Sequence, residues 1–312
     1  MKSRRILINA IGLLIIAVAA SRVEAQVFTL EQVMSSPFPS DLTVSKRGDK
    51  IAWAFDAEGK RNIWIAEGPT FSARQLTHYD RDDGQELTAL VFSPDGTMVA
   101  FVRGGDANQA GEVPNPASDP AGAKQEVWAV DVRTGRVMRI GQGSVPIFSP
   151  AGDQIEYLRG GSVWTAPVVG GKESKMFEIR GGVNSAPQWS PDGSKLAFAS
   201  SRGDHSFIVI YDRRSDSFRF FSPSVDRDIA PRWSPDGHRI AFIRLFNVTD
   251  TFSNDRERLQ PWAIEVADAQ TGNAREIWRS GSADNDSYTG FGGDFWQWVA
   301  GDRLLFPTEK DG

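Results

Sequence analysis

Three histidines, His78, His205 and His238, are the side chains best suited to moving protons near neutral pH. No two of them stand at metal-ligand spacing, and each lies in its own stretch of turn-forming residues, so they read as surface polar groups. A serine nucleophile of the strand-to-helix kind needs a Gly-x-Ser-x-Gly elbow, and none is present. Gly160-Gly-Ser162-Val-Trp164 comes nearest, but it lacks the closing glycine and falls in a strand pattern. The chain has no cysteine, which excludes disulfides, thiol catalysis, cysteine-based metal sites and a lipidated cysteine.

Carboxylates recur. Asp95, Asp192 and Asp236 occupy one position of a repeated phrase, and a ring of them could hold a metal. Their spacing instead puts them at separate hairpin tips, where an aspartate bonds its own turn. Asp80-Arg-Asp-Asp83 and Asp284-Asn-Asp286 read as solvated loop, with a cation or a basic partner as the alternative. Arg47-Gly-Asp49 and Arg202-Gly-Asp204 spell an integrin-binding tripeptide at places where the repeat needs a turn. Asn247-Val-Thr249 and Asn285-Asp-Ser287 are glycosylation acceptors only in a host that glycosylates. The expectation is no catalytic residue, no metal ligand and no cofactor, with substrate-binding residues unassigned.

The elements that position these residues announce themselves by repetition. Phe92-Ser-Pro-Asp-Gly96, Phe148-Ser-Pro-Ala-Gly152, Trp189-Ser-Pro-Asp-Gly193 and Trp233-Ser-Pro-Asp-Gly237 are each followed by an apolar strand such as Lys195-Leu-Ala-Phe-Ala199. Ser45-Lys-Arg-Gly48 and Val299-Ala-Gly301 are degenerate copies. From Ser45 the spacings are 48, 56, 41 and 44 residues, then 65 to Val299. A strand-rich period of roughly 40–50 residues is the mark of a β-propeller. The expected fold is therefore all-β, with five complete four-stranded antiparallel blades and a partial sixth.

Within a repeat, Ser185–Ser190 reads as the first strand, Lys195–Ser200 as the second, Ser206–Tyr211 as the third and Phe218–Phe221 as the fourth. Proline presets the first corner of the intervening turn, and glycine takes its positive φ. A tryptophan theme marks the third strands, in Asn62-Ile-Trp-Ile-Ala66, Glu126-Val-Trp-Ala-Val130, Ser162-Val-Trp-Thr-Ala166 and Pro261-Trp-Ala-Ile-Glu265, and suggests packing between blades. Insertions at 104–124 and 245–260 both fall between second and third strands, hence on one face, opposite the Ser-Pro-Asp-Gly turns. Such loops either carry function or are tolerated surface.

Residues 1–25 have the make-up of a secretory signal peptide: basic Lys2, Arg4 and Arg5, an apolar run from Ile6 to Ala20, and Val23-Glu-Ala25 for cleavage. An uncleaved anchor is the rival, although the run is short for a ~20-residue span. Cleavage removes four basic residues and one acidic one, taking the net charge from −5 to −8. That acidity argues against nucleic acid as a partner, and no membrane association is expected after cleavage. An exported, cysteine-free chain fits a bacterial periplasm or exterior. Thr29-Leu-Glu-Gln32 has the pattern of a helix start, ended before Pro37 and Pro39. The chain thus divides into signal peptide 1–25 and propeller 26–312.

The Trp/Phe-Ser-Pro-Asp-Gly-x-x-Ile-Ala-Phe phrase resembles the WD-like repeats of TolB and of the prolyl oligopeptidase family of serine peptidases. Phe28-Thr-Leu-Glu-Gln-Val33 through Ser40-Asp-Leu42, Ser201-Arg-Gly-Asp-His-Ser206, Asp226-Arg-Asp-Ile-Ala-Pro231 and Pro261-Trp-Ala-Ile-Glu-Val-Ala-Asp268 are similar to exported bacterial dipeptidyl-peptidase-type enzymes. A TolB protein would carry an α/β domain before its propeller, whereas strands here begin soon after the cleavage site. The peptidase resemblance implies a propeller that gates peptide substrates for a C-terminal α/β-hydrolase domain bearing a Ser-Asp-His triad. No triad residue maps onto this sequence, and no adjacent Glu-Glu pair is present to grip a free amino group. The chain is expected to be inactive alone, as a propeller without its catalytic domain. A TolB-like periplasmic binding scaffold is the alternative, and a lyase-type propeller a third for which no residue set stands out. The sixth repeat is expected to supply two strands and stop at Lys310-Asp-Gly312, leaving open edges that promote dimerisation or poor solubility.

Overall fold

A computed structural model describes residues 29, 30, 33, 35, 37–108, 112–177, 182–246, 261–281, 288 and 296–307. The chain divides into 1–37 and 38–312. In the first part Val33 N–H donates to the Thr29 carbonyl at 3.1 Å, the i→i−4 bond of a helical turn where the capping pattern expects one. The segment read as a signal peptide lies outside the described residues. Among the described residues no helix is long and apolar enough to cross a membrane.

The second part is built of antiparallel four-stranded units, each strand pairing with the next in the chain. The first holds β1 (Phe38–Val44), β2 (Lys50–Ala57), β3 (Lys60–Glu67) and β4 (Ser72–Gln75). The second holds β5 (Leu87–Phe92), β6 (Met98–Arg103), β7 (Glu126–Asp131) and β8 (Val137–Gln142). The third holds β9 (Ser144–Phe148), β10 (Gln154–Arg159), β11 (Ser162–Pro167) and β12 (Ser174–Phe177). Next come β13 (Val183–Trp189), β14 (Lys195–Ser201), β15 (Ser206–Asp212) and β16 (Ser217–Phe221). The fifth holds β17 (Arg227–Trp233), β18 (Arg239–Leu245), β19 (Trp262–Asp268) and β20 (Ala274–Arg279), and a hairpin of β21 (Gln297–Val299) and β22 (Arg303–Leu305) follows. One parallel bridge, Ser206 to Arg227, ties the fourth unit to the fifth. This is the β-propeller expected from the repeat.

Each blade packs face to face on its neighbour through one apolar cluster. Leu158, Val163 and Phe177 of the third blade meet Leu196, Phe198 and Val209 of the fourth. Ile208, Ile210 and Phe221 of the fourth meet Trp233, Ile240 and Phe242 of the fifth. The second strand lies in the middle of this layering and so reads as a continuous apolar run. Burying one such Phe or Ile is worth about 1.5–3 kcal/mol. The crossover from β8 to β9 is the single residue Gly143, where a Cβ would stand 2.3 Å from the Leu158 carbonyl oxygen.

Two features depart from the sequence reading. Trp64, Trp128 and Trp164 stand opposite Trp53, Phe101 and Tyr157. In the fifth blade that place, opposite Phe242, belongs to Glu265, and Trp262 faces Leu245 instead. Trp262 is therefore out of phase with the other three. The second feature carried no sequence signal. The first strand of each of the five four-stranded units is bulged, with a non-glycine residue at positive φ: Asp41, Ala89, Val145, Ala186 and Ala230, all between 48° and 53°. Such bulges bend a strand and sharpen its twist.

Candidate functional site

The five complete turns share one hydrogen-bond plan. A buried serine, Ser45, Ser93, Ser149, Ser190 or Ser234, accepts a backbone N–H from the start of the next strand. The same hydroxyl donates to an aspartate. At Asp95 and Asp192 that bond is 2.6 Å, and Asp236 is held likewise. Where the phrase lacks Asp, the residue after the glycine takes its place, Asp49 at 2.7 Å and Asp153 at 2.8 Å. The Ser190 hydroxyl and then the Ser194 N–H hold the Asp192 carboxyl down to about 2. The recurring serines and aspartates are thus engaged in shaping turns, and Arg47-Gly-Asp49 is one of those turns.

On the turn face the first strands run close to one another and enclose a cavity in two lobes. One lobe, about 410 Å³, lies between Val91, Phe92, Ile147, Phe148 and Trp189. The other, about 600 Å³, lies between Gln188, Arg232, Trp233, Gln297 and Trp298. Lys46, Gln188, Trp189 and Pro191 border both. The turn prolines Pro94, Pro150, Pro191 and Pro235 form part of the rim, and in the first, degenerate turn Lys46 occupies that proline position. The residue before the turn's aromatic sets the character of each sector: Val91 and Ile147 on one side, Gln188, Arg232 and Gln297 on the other. Sequence reasoning passed over this position, although its change from apolar to polar was visible in the aligned copies.

Indole N–H groups stitch the polar side together. Trp233 Nε1 donates to the Gln188 carbonyl at 3.0 Å, and Trp298 Nε1 to the Arg232 carbonyl at 3.1 Å. Trp189 Nε1 donates instead to Glu156 Oε2 at 2.8 Å. Burial pushes the Glu156 carboxyl above the usual glutamate range, against the pull of the Trp189 and Thr165 hydrogen bonds. A second buried carboxylate, Asp228, is gripped bidentately by Arg244 at 2.8 and 2.9 Å, and Arg244 also donates to the Ser222 carbonyl at 2.9 Å. Burial dominates here too, raising Asp228 to about 6 despite Arg244.

The sequence candidates for chemistry are dispersed. His78 follows β4, His205 precedes β15 beside Asp204, and His238 sits in the turn before β18. Ser162 opens β11 and is buried. Asp83 pairs with Arg103. Among the described residues no group of three or more His, Asp or Glu is placed to hold a metal ion. Asp284-Asn-Asp286 and both glycosylation tripeptides lie outside the described residues, as does most of 245–260. The strand bounds set both long insertions between second and third strands, as expected.

No known family profile matches the chain, and no curated protein does. Solved structures do. An oligogalacturonate lyase in complex with manganese aligns over 87% of this chain and 73% of its own, at 18% identity and TM-score 0.59. One of two prolyl endopeptidases described together aligns over 80% of this chain and 37% of its own, at 15% identity and TM-score 0.58. TolB from Acinetobacter baumannii aligns over 78% of this chain and 54% of its own, at 17% identity and TM-score 0.50. At such identities the shared property is the fold. This is a propeller scaffold. The chain spans about half of the TolB chain and little more than a third of the endopeptidase.

Proposed function

We propose that this chain is the substrate-gating and docking propeller of an exported serine peptidase, binding peptides without cutting them. In this reading 1–25 direct export to the periplasm or exterior, 26–312 form the propeller, and an α/β-hydrolase domain is its partner. The observation that carries it is the two-lobed cavity, whose lobes meet at Lys46, Gln188, Trp189 and Pro191 and which lies on a scaffold whose recurring Ser and Asp are taken up in holding turns. Its volume suits a short peptide segment. The Ser-Pro-Asp-Gly phrase in successive blades supports the peptidase family over unrelated propellers.

A self-standing, TolB-like periplasmic binding scaffold is the second reading, favoured by the fold likeness to TolB. The coding sequence after codon 312 separates the two. An open frame leading to a Gly-x-Ser-x-Gly elbow is the expected result, and a stop codon there overturns the docking role in favour of the scaffold.

A further inference from the structure

Each junction between blades has a direction, because the second strand turns bulky side chains onto the blade before it and smaller ones toward the blade after it. In the second blade Val99 and Phe101 pack on Ala52, Ala54, Ile63 and Ile65 of the first, while Ala100 and Val102 receive Phe148 and Tyr157 of the third. The first blade repeats the bulky, giving face. Val44 pairs with Ile51 as Phe92 pairs with Val99, so Leu42 and Trp53 hold the places of Leu90 and Phe101. Yet Leu42 and Val44 are 69% and 55% exposed, against 8% and 7% for Leu90 and Phe92. The face of Leu42, Ile51, Trp53 and Phe55 thus has the make-up of a blade junction, with no described sheet packed over it.

The matching receiving faces are almost all taken. Those of the first four blades hold the blade that follows, and Ala241 and Ile243 of the fifth hold Trp298, Leu304 and Phe306 of the hairpin. On the hairpin Gln297 pairs with Leu305 as Arg232 pairs with Ala241, so Leu305 stands at the receiving place, 58% exposed. We infer that two copies of this chain associate head to tail, the Leu42, Trp53 and Phe55 face of one packing on the Leu305 face of the other. Both faces are exposed within a single chain, so a chain's own hairpin does not cover its own first blade, and a second copy covers each in the manner of the existing junctions. Bulky on small is the rule of those junctions, which selects this contact over two bulky faces meeting across a two-fold axis. Such a heterologous contact leaves one face of each kind open at the ends of a pair, so assemblies lengthen with concentration. The inference needs neither peptide binding nor a hydrolase domain and stands apart from the function proposed above.

The test is sedimentation velocity of the chain over a range of concentrations, with one variant blocked on each face. The parent should form dimers and then larger species as concentration rises. Trp53→Glu and Leu305→Glu should each weaken association at least about 10-fold when alone. Mixed in equal amounts, they should form a dimer of one copy of each and nothing larger, since each keeps the face that the other has lost. Far-ultraviolet circular dichroism checks that both variants keep the fold, and Leu42→Glu takes the place of Trp53→Glu should that variant unfold. A parent that stays monomeric at every concentration, a Leu305→Glu chain that associates like the parent, or a mixture that stays monomeric would each overturn the inference.

Discussion

Trp189 Nε1 lies 2.8 Å from Oε2 of Glu156, a carboxylate only 1% exposed on the preceding blade. Glu156 stands directly across the sheet from Ile147, the residue whose counterparts Gln188 and Arg232 accept the indoles of the next two copies through their carbonyls. The third and fourth blades are therefore joined by a side-chain carboxylate where later junctions use backbone. A carbonyl carries no charge to desolvate. Glu156 does, and this makes its junction sensitive to pH.

Because the folded Glu156 carboxyl sits above its unfolded value, the native state binds its proton more tightly. Its contribution to stability is therefore fullest in acid and declines as pH rises from the ordinary glutamate range upward. Glu156→Gln should keep the acceptor for Trp189 and lose that decline. Denaturant midpoints taken from about pH 4 to 8 should show the variant gaining on the parent as pH rises. A deficit that widens as pH rises would contradict this and show that the carboxylate serves the junction as a charge.

Arg244→Leu strands Asp228 in a buried site and should cost about 3–5 kcal/mol at neutral pH. In the parent, stability from Asp228 falls as pH rises between its usual value of 3.8 and about 6, then stays level. Without Arg244 the carboxyl rises further, so that fall extends to higher pH and the gap between variant and parent narrows on acidification. Parallel melting curves near pH 5 and pH 8 should show this narrowing. A gap that widens in acid would contradict it.

Ser190→Ala removes the acceptor for the Lys195 N–H and the donor to Asp192 in a turn buried at the serine. Leaving that N–H unpaired should cost about 1–3 kcal/mol. Asp192→Asn acts differently. The carboxyl is held at about 2, below its usual 3.8, so its contribution is present above 3.8 and is lost as pH falls toward 2. The asparagine variant should be slightly less stable near neutrality and no worse than the parent in strong acid, as read by acid titration of the fold.

The outward face of the first blade is apolar: Leu42 is 69% exposed, and Ile51, Trp53 and Phe55 border a groove of about 550 Å³ beside it. Uncovered patches of this kind promote association. The chain should elute larger than a monomer at high concentration, and Leu42→Glu should shift it toward the monomer. An elution volume that ignores both concentration and this substitution would assign the association, if any, to another surface.

The fold was legible because its turns are made of residues with one structural reason each. Proline, aspartate and glycine at fixed offsets signal a hairpin, and the apolar run after them signals a buried strand. The first-strand bulges were not legible, since Ala89, Ala186 and Ala230 take a positive φ that alanine as a residue type gives no hint of. Nor was Glu265 recognisable as the occupant of the tryptophan place, because Trp262 three residues earlier mimicked the theme. The cavity escaped for another reason. Its wall draws one or two residues from each repeat, and their shared role emerges only when the repeats are brought side by side.

The central claim is that this chain binds and gates peptides while leaving their hydrolysis to another domain. Fluorogenic dipeptide turnover by the purified chain, with and without a serine-directed inhibitor, tests it most directly. No hydrolysis above the uncatalysed rate, and no difference on adding the inhibitor, is the expected result. Turnover that the inhibitor abolishes would contradict it.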